Sequence, residues 1–315
     1  MDLESVCIIG GTGFVGRAIA EQACARGYRV RVVTRNLQRA RALRVLPTLE
    51  AMVADPNDEA SLPRCLDGMD AVINLVGILH ESRRASFQSV HVELPRKIAH
   101  ACRAAGVRQL LHMSALGASA TGPSTYLRTK GEGEKAVREA VGAPPATIFR
   151  PSVIFGEHDR FLNLFATLAR LSPVIPLGAA RARFQPIWVE DVARCFVGSL
   201  GTTRTFGQSY DLCGPRVYTL EELVRFVTDI RAYRRWIVRL PDALASLQAF
   251  VFEHLPGKLL TRDNLRSMSV ANVCPGPFPD VFGFAPASME AVVPQYLADA
   301  GTRSRYQQFR HLAGR

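Results

Sequence analysis

Lysine is scarce in this chain. Of 39 basic residues only Lys97, Lys130, Lys135 and Lys258 are lysine; the rest are arginines spread along 315 residues rather than run together. The net charge of +11 therefore has no lysine tract behind it, and no basic stretch carries the interleaved aromatics of a nucleic-acid reader, so no nucleic-acid partner is expected. Base composition of the genome accounts for an arginine excess; so would an anionic cofactor, an anionic substrate, an acidic partner or a membrane surface. Long apolar runs are also missing. The best, Ala71 to Leu79, contains Asn74 and falls far below the roughly 18 residues of a membrane span. The fold begins almost at once, so no signal or transit segment is expected. Cys7, Cys24, Cys65, Cys102, Cys195, Cys213 and Cys274 are scattered with no Cys-x-x-Cys pair. That spacing argues against a zinc site or a disulfide framework and suits a reducing compartment. The histidines show no ligand spacing, so no metal is expected. Internal repeats and low-complexity linkers are absent.

What is present starts at residue 6. The apolar run Val6-Cys7-Ile8-Ile9 enters Gly10-Gly11-Thr12-Gly13-Phe14-Val15-Gly16, and a helix-like stretch leaves it. Gly11 permits a tight turn, Gly13 lets backbone approach a pyrophosphate, and Gly16 lets helix pack on strand. The positive end of the new helix faces the phosphates. This is the pattern of a dinucleotide-binding turn.

Strand-like and helix-like runs alternate through the first half. Strands are predicted at residues 5–9, 29–34, 49–54, 71–75, 109–113 and 146–150, with helices at 13–26, 37–43, 61–65, 87–105 and 126–141. Such alternation implies an α/β fold with a doubly wound parallel sheet, whose ligand lies beyond the carboxyl ends of the strands. The expected organisation is a Rossmann-type domain over 1–156, its sheet completed by about 207–213 with a last strand at 209–212. A smaller substrate lobe would come from 157–206 and 214–300, and a flexible basic tail from 301–315. Within the lobe, Arg231, Arg234, Arg235, Trp236 and Arg239 adjoin an apolar helical stretch with Leu244, Leu247, Phe250, Val251 and Leu255. This is either a helix packed on the core or a face able to rest on anionic lipid.

Several residues carry chemistry. The second strand ends at Arg35, where an NAD-selective site has Asp or Glu; an arginine fork, with Arg17 and Arg39 nearby, matches a 2′-phosphate instead. NADP(H) is therefore the preferred cofactor, with NAD(H) as the alternative and Arg35 as a solvated surface residue its bland reading. Asp55 after the third strand could accept from the adenine amino group or simply start an Asp-Pro turn. Leu75, Val76 and Gly77 close the fourth strand where the chain must pass near the cofactor. Tyr126 and Lys130 form Y-x-x-x-K, one face of a helix. Lys130 would lower the Tyr126 pKa and hold the nicotinamide ribose; Tyr126 would exchange a proton with the reacting oxygen. Ser114, twelve residues before Tyr126, could hydrogen-bond that oxygen, with Ser119 a weaker candidate. His91 stands four residues before Pro95, whose missing N–H frees the His91 carbonyl and kinks the helix; it is either a relay component or a polar residue beside a kink.

Together, G-G-T-G-F-V-G-R at 10–17, S-A-L-G-A at 114–118, Y-L-R-T-K-G-E-G-E at 126–134, F-R-P-S-V-I-F-G at 149–156, F-Q-P-I-W-V-E-D-V-A at 184–193 and G-P-R-V-Y-T-L-E-E-L at 214–223 resemble the extended and atypical short-chain dehydrogenases. The chain also has their Gly10-x-x-Gly13-x-x-Gly16 spacing. The nearest branch is the one related to the nucleotide-binding accessory subunit of respiratory complex I. The resemblance implies NAD(P) at the sheet edge, Ser114, Tyr126 and Lys130 as the reactive set, and Pro151, Ser152 and Val153 along the nicotinamide. Many relatives have Asn where His91 stands. Two functions follow: an oxidoreductase, epimerase or dehydratase acting on a small molecule, or a cofactor-holding accessory or assembly protein of a respiratory or quinone-linked membrane complex. A cytoplasmic protein, or one peripheral at the inner face of a membrane, is expected.

Overall fold

A computed structural model describes residues 2–83, 85–140, 144–254 and 260–298. The predicted tail 301–315 and Leu255 lie outside them. β1 (Ser5–Ile9) is buried along its whole length, as a central strand covered on both faces must be. It pairs in parallel with β2 (Arg29–Thr34) on one side and β4 (Ala71–Asn74) on the other. β3 (Leu49–Val53), β5 (Gln109–Met113), β6 (Ala146–Pro151) and β11 (Ser209–Leu212) complete a seven-stranded, all-parallel sheet in the order β11-β6-β5-β4-β1-β2-β3. Strand order reverses between β1 and β4, so the ligand crevice opens at their carboxyl ends.

α1 (Phe14–Ala25) and α6 (Val189–Ser199) cover one face, where Phe149 meets Phe196 at 4.1 Å between ring centres. α2 (Leu62–Leu66), α3 (Leu94–Ala104) and α4 (Thr125–Arg138) lie along the other. Beyond β6 the elements shorten. β7 (Ile154–Phe155) pairs with β10 (Ile187–Trp188), β9 (Arg183–Phe184) with β12 (Tyr218–Thr219), and β8 (Val174–Leu177) with β13 (Trp236–Arg239). α5 (Leu162–Leu171), α7 (Leu220–Ile230) and α10 (Met289–Leu297) share a third apolar cluster. α8 (Asp242–His254) and α9 (Arg262–Ser267) contact each other at the periphery.

The expected helix at 37–43 is two short 3-10 turns, Leu37–Ala40 and Leu43–Val45, too short to wind further. The helix expected from 87 to 105 is interrupted by a π-helical turn, Ser89–Glu93. Pro95 supplies no N–H there, and the chain absorbs the loss as an extra residue in the turn.

The cysteine reading is corrected. Cys213, just after β11, is disulfide-bonded to Cys274, 61 residues on. Linear spacing carries no information about two residues that tertiary structure alone brings together, and its support for a reducing compartment falls with it. Cys7, Cys65, Cys102 and Cys195 are free and buried, and Cys24 is free and half-buried. No group among the described residues could hold a metal ion.

Candidate functional site

The glycine turn has the geometry its sequence implies. Gly10 takes φ +89°, and its carbonyl accepts from the Gly13 N–H at 3.0 Å. A Cβ on Gly16 would stand 2.5 Å from the Gly10 oxygen and the Gly11 Cα, so only glycine lets α1 sit this close. Gly13 is the N-cap of α1 and has no side chain to cap it, and no acid lies in the first turn. α4 and α7, in contrast, are capped from their own sequence, by Ser124 and by Thr219 with Glu222. An open helix end facing the switch point suits an anion. Phe14 and Val15 start the helix; Phe14 lies against Gly156 and Val15 is buried. Thr12 offers its carbonyl to Arg17 Nε at 3.3 Å, and Arg17 Nη2 reaches the Arg39 carbonyl at 3.5 Å. Arg35 is exposed at the end of β2, its guanidinium unpaired among the described residues. Asp55 is exposed too, and its Oδ1 accepts from the Asn57 backbone and side chain, the turn-starting arrangement.

At the ends of β4 and β5 a buried polar cluster gathers. Val76 N–H donates to Asn74 Oδ1 at 3.1 Å. The Asn74 amide nitrogen therefore faces His112 Nδ1, 3.2 Å away, and His112 carries its proton on Nε2. Among the described residues that N–H has no partner, and neither has Ser114 Oγ, although both atoms are buried. His112 is on β5 and Ser114 directly follows it, its N–H still donating to the Phe149 carbonyl at 2.7 Å, so the two side chains, two residues apart, share one face. Burial, and then the Lys130 charge, pull the His112 pKa down to about 3. Lys130 Nζ donates to the Met113 carbonyl at 3.2 Å and lies 3.1 Å from where a Cβ on Gly77 would stand. Burial lowers the Lys130 pKa to about 8, with Glu134 pulling the other way.

His91 is buried and bonded at both nitrogens. Thr129 Oγ1 lies within reach of the Thr125 and Tyr126 carbonyls at 2.9 and 3.1 Å, so its proton is committed and His91 Nδ1–H donates to it at 3.0 Å. His91 Nε2 then accepts from the Ile78 N–H at 3.1 Å. Burial, with Lys130 adding to it, takes the His91 pKa to about 2, so the ring is neutral. It joins the loop after β4 to the helix bearing Tyr126. Its carbonyl, released by Pro95, is covered by Gly133: a Cβ there would come within 1.9 Å of it.

Tyr126 packs edge-on against His91 at 5.4 Å and Phe87 at 6.0 Å. The expected lowering of its phenol by Lys130 is not seen; burial raises it to about 12, while the Lys130 ammonium is turned to the Met113 carbonyl. Ser119, the weaker candidate, is exposed and occupied with Thr121 at 3.1 Å. Leu75 is buried, Val76 half-buried and Gly77 exposed. Pro151 and Ser152 are buried and Val153 half-buried beside them.

Two residues with no signal in the sequence complete the arrangement. Asp263 of α9 accepts the Thr125 and Tyr126 backbone N–H groups at 2.8 and 3.0 Å. Asn272 Oδ1 accepts from Ser152 Oγ at 2.6 Å and the Val153 N–H at 3.2 Å. Their partners lie more than a hundred residues away, and nothing local marks them. His112, in contrast, was readable as the strand neighbour of Ser114.

The sheet, the uncapped glycine turn and the polar cluster at the switch point define a dinucleotide-binding α/β protein. The model of the NAD dependent epimerase/dehydratase family matches residues 6–213, and the chain belongs to that family, whose members bind NAD(P). It is 35% identical over 250 residues to NADH dehydrogenase [ubiquinone] 1 alpha subcomplex subunit 9, mitochondrial, of Arabidopsis thaliana, covering 77% of this chain and 61% of that protein's length. It is 33% identical over 243 residues to a ceramide reductase of Caulobacter vibrioides, covering 75% and 74% of the two chains. Among solved structures, NADPH-dependent quinone oxidoreductase QOR2 of Escherichia coli, complexed with NADPH, superposes with a TM-score of 0.75 at 19% identity over 92% of this chain and 99% of that one.

Proposed function

We propose that the protein is an NADP(H)-linked oxidoreductase that reduces a carbonyl of a small-molecule substrate, with Tyr126 as proton donor. The observation that carries this reading is the buried, unpartnered Ser114 hydroxyl beside the Lys130-bonded Met113 carbonyl. A buried polar group without a partner is costly, and a substrate oxygen would satisfy it. The glycine turn would cradle the pyrophosphate, Arg35 the 2′-phosphate, and Lys130 the nicotinamide ribose. Leu75 to Gly77 and Pro151 to Val153 would line the ring. The cofactor, when bound, supplies hydride. The chain's own part is acid–base chemistry: a phenol held near 12 is protonated at neutral pH and can give its proton to the oxygen that gains charge. Lys130, mostly charged at pH 7, is a cation close to that exchange. Ser114 fixes the direction from which the oxygen is approached.

Arg35→Ala should weaken NADPH binding about tenfold, the worth of one charge-assisted phosphate contact, while leaving NADH unchanged. Fluorescence titration reads both. An unaltered preference removes the NADP(H) assignment. Tyr126→Phe should abolish turnover with NADPH still bound.

A second reading is favoured by the similarity to the complex I subunit: a cofactor-stabilised accessory or assembly protein at a respiratory membrane complex. Cells in which Tyr126→Phe still supports function, and in which the protein co-purifies with respiratory subunits, would favour it over the enzyme.

A further inference from the structure

The outer side of the C-terminal region carries apolar surface that is exposed among the described residues. β8 and β13 pair in register, Trp236 with Val174 and Val238 with Pro176, so these four side chains point to one side of a two-stranded sheet. That side faces outward: Trp236 is 78% exposed, and Val174 and Val238 are exposed as well. Leu171, at the end of α5 just before β8, is 72% exposed. α8 continues the surface. Gln248 Nε2 bonds the Pro176 carbonyl of β8 at 3.0 Å, and only Ala245 and Ala249 of α8 are buried. Leu244, Leu247, Phe250 and Val251 are all exposed, while Phe252 is half-buried on the side of the alanines. At 100° per residue these four span about a third of the helix circumference, opposite the two alanines. A helix that buries its alanines and exposes its leucines is inverted relative to one that packs on a core.

The rim is basic. Arg170 and Arg234 are exposed with no acid partner among the described residues. Arg239 points to the other side of β13, where it pairs with Glu221; Arg262 pairs with Glu253 while lying over the Phe250 ring. Besides Glu221 and Glu253, the nearby acids are Asp229 and Asp242. A tryptophan and a leucine stripe bounded by arginines match the acyl boundary and anionic headgroups of a bilayer. A second copy of this face would set arginine against arginine. No helix among the described residues is long and apolar enough to cross a membrane, so contact would be at the surface.

We propose that this composite face, the outer side of β8–β13 together with the outer side of α8, seats the protein on an anionic phospholipid bilayer. The inference does not depend on the catalytic reading. The full chain is sedimented with vesicles of phosphatidylcholine alone and of phosphatidylcholine mixed with phosphatidylglycerol. Binding is expected to the mixed vesicles only, and to weaken with salt. Trp236→Glu with Leu247→Glu should cut it at least tenfold, and Arg234→Glu several-fold. Thermal melting and NADPH titration of the same variants, unchanged, exclude misfolding. The proposal is overturned if the wild type ignores the mixed vesicles, or if the double variant binds them as well as wild type. It is equally overturned if light scattering finds a dimer through this face that the double variant dissociates.

Discussion

Asp263 illustrates how much a single side chain can decide here. Its carboxylate accepts the amides of Thr125 and Tyr126, while Ser124 Oγ accepts that of Leu127. The first turn of the helix bearing the phenol is thus held from two sides. Asp263→Ala should cost about 1 kcal/mol of stability, the worth of a helix cap, read as a lower urea midpoint. If Asp263 positions Tyr126, kcat should fall more than KM changes, and Asp263→Asn should restore part of it. A stability loss with unchanged kcat would make its role structural alone. His91 is the other residue whose part emerged only in three dimensions. The sequence showed a histidine beside a kink. The structure adds that its two nitrogens tie Ile78 to Thr129 and that Gly133 packs against the carbonyl freed by Pro95.

Elements differ in how far the sequence revealed them. β1, β2 and β5 were legible to the residue, because each sets apolar positions between polar or glycine boundaries in a sheet covered on both faces; β11, a half-polar edge strand, was placed equally well without such a run. The glycine turn after β1 and Y-x-x-x-K on α4 were legible too, because each pattern is local. The small strand pairs after β6 were not, being two to four residues long and stabilised by contacts across the chain. The Cys213–Cys274 bond belongs with them. It fastens the end of β11 to the segment whose Asn272 holds Ser152 and Val153. Closing a separation of 61 residues is worth about 4 kcal/mol by loop entropy. Cys213→Ser, or reduction of the native chain, should lower the unfolding midpoint accordingly. Free-thiol counts of the purified protein before and after reductant test whether the bond is made.

At the scale of the whole molecule, two buried neutral histidines set the response to acid. His91 and His112 protonate in the native state only near pH 2 and 3, whereas in the unfolded chain they do so near 6.5. Below about pH 6.5 the unfolded state binds more protons, so stability present above that pH is lost as pH falls. Each ring contributes up to about 1.4 kcal/mol per pH unit until its native pKa is reached. Asp159 and Asp191, raised by burial, act in the opposite sense, and only in the carboxylate range. Urea midpoints measured from pH 7.0 downward should therefore decline steadily (about pH 5 is the informative limit). His112→Phe should roughly halve the slope, and a flat profile would contradict the buried, uncharged state of both rings.

The amino-terminal sheet looks modular, yet it borrows from the far end of the chain. Asn272 supplies the acceptor for Ser152 and Val153, and Asp263 the acceptor for two amides of α4. Severing the chain after β11 would leave those donors unanswered at the very place where a coenzyme ring would rest. A fragment ending near residue 213 would contain the seven strands without the acceptors that hold Thr125, Tyr126, Ser152 and Val153, so the halves cannot be exchanged with those of other proteins as independent parts.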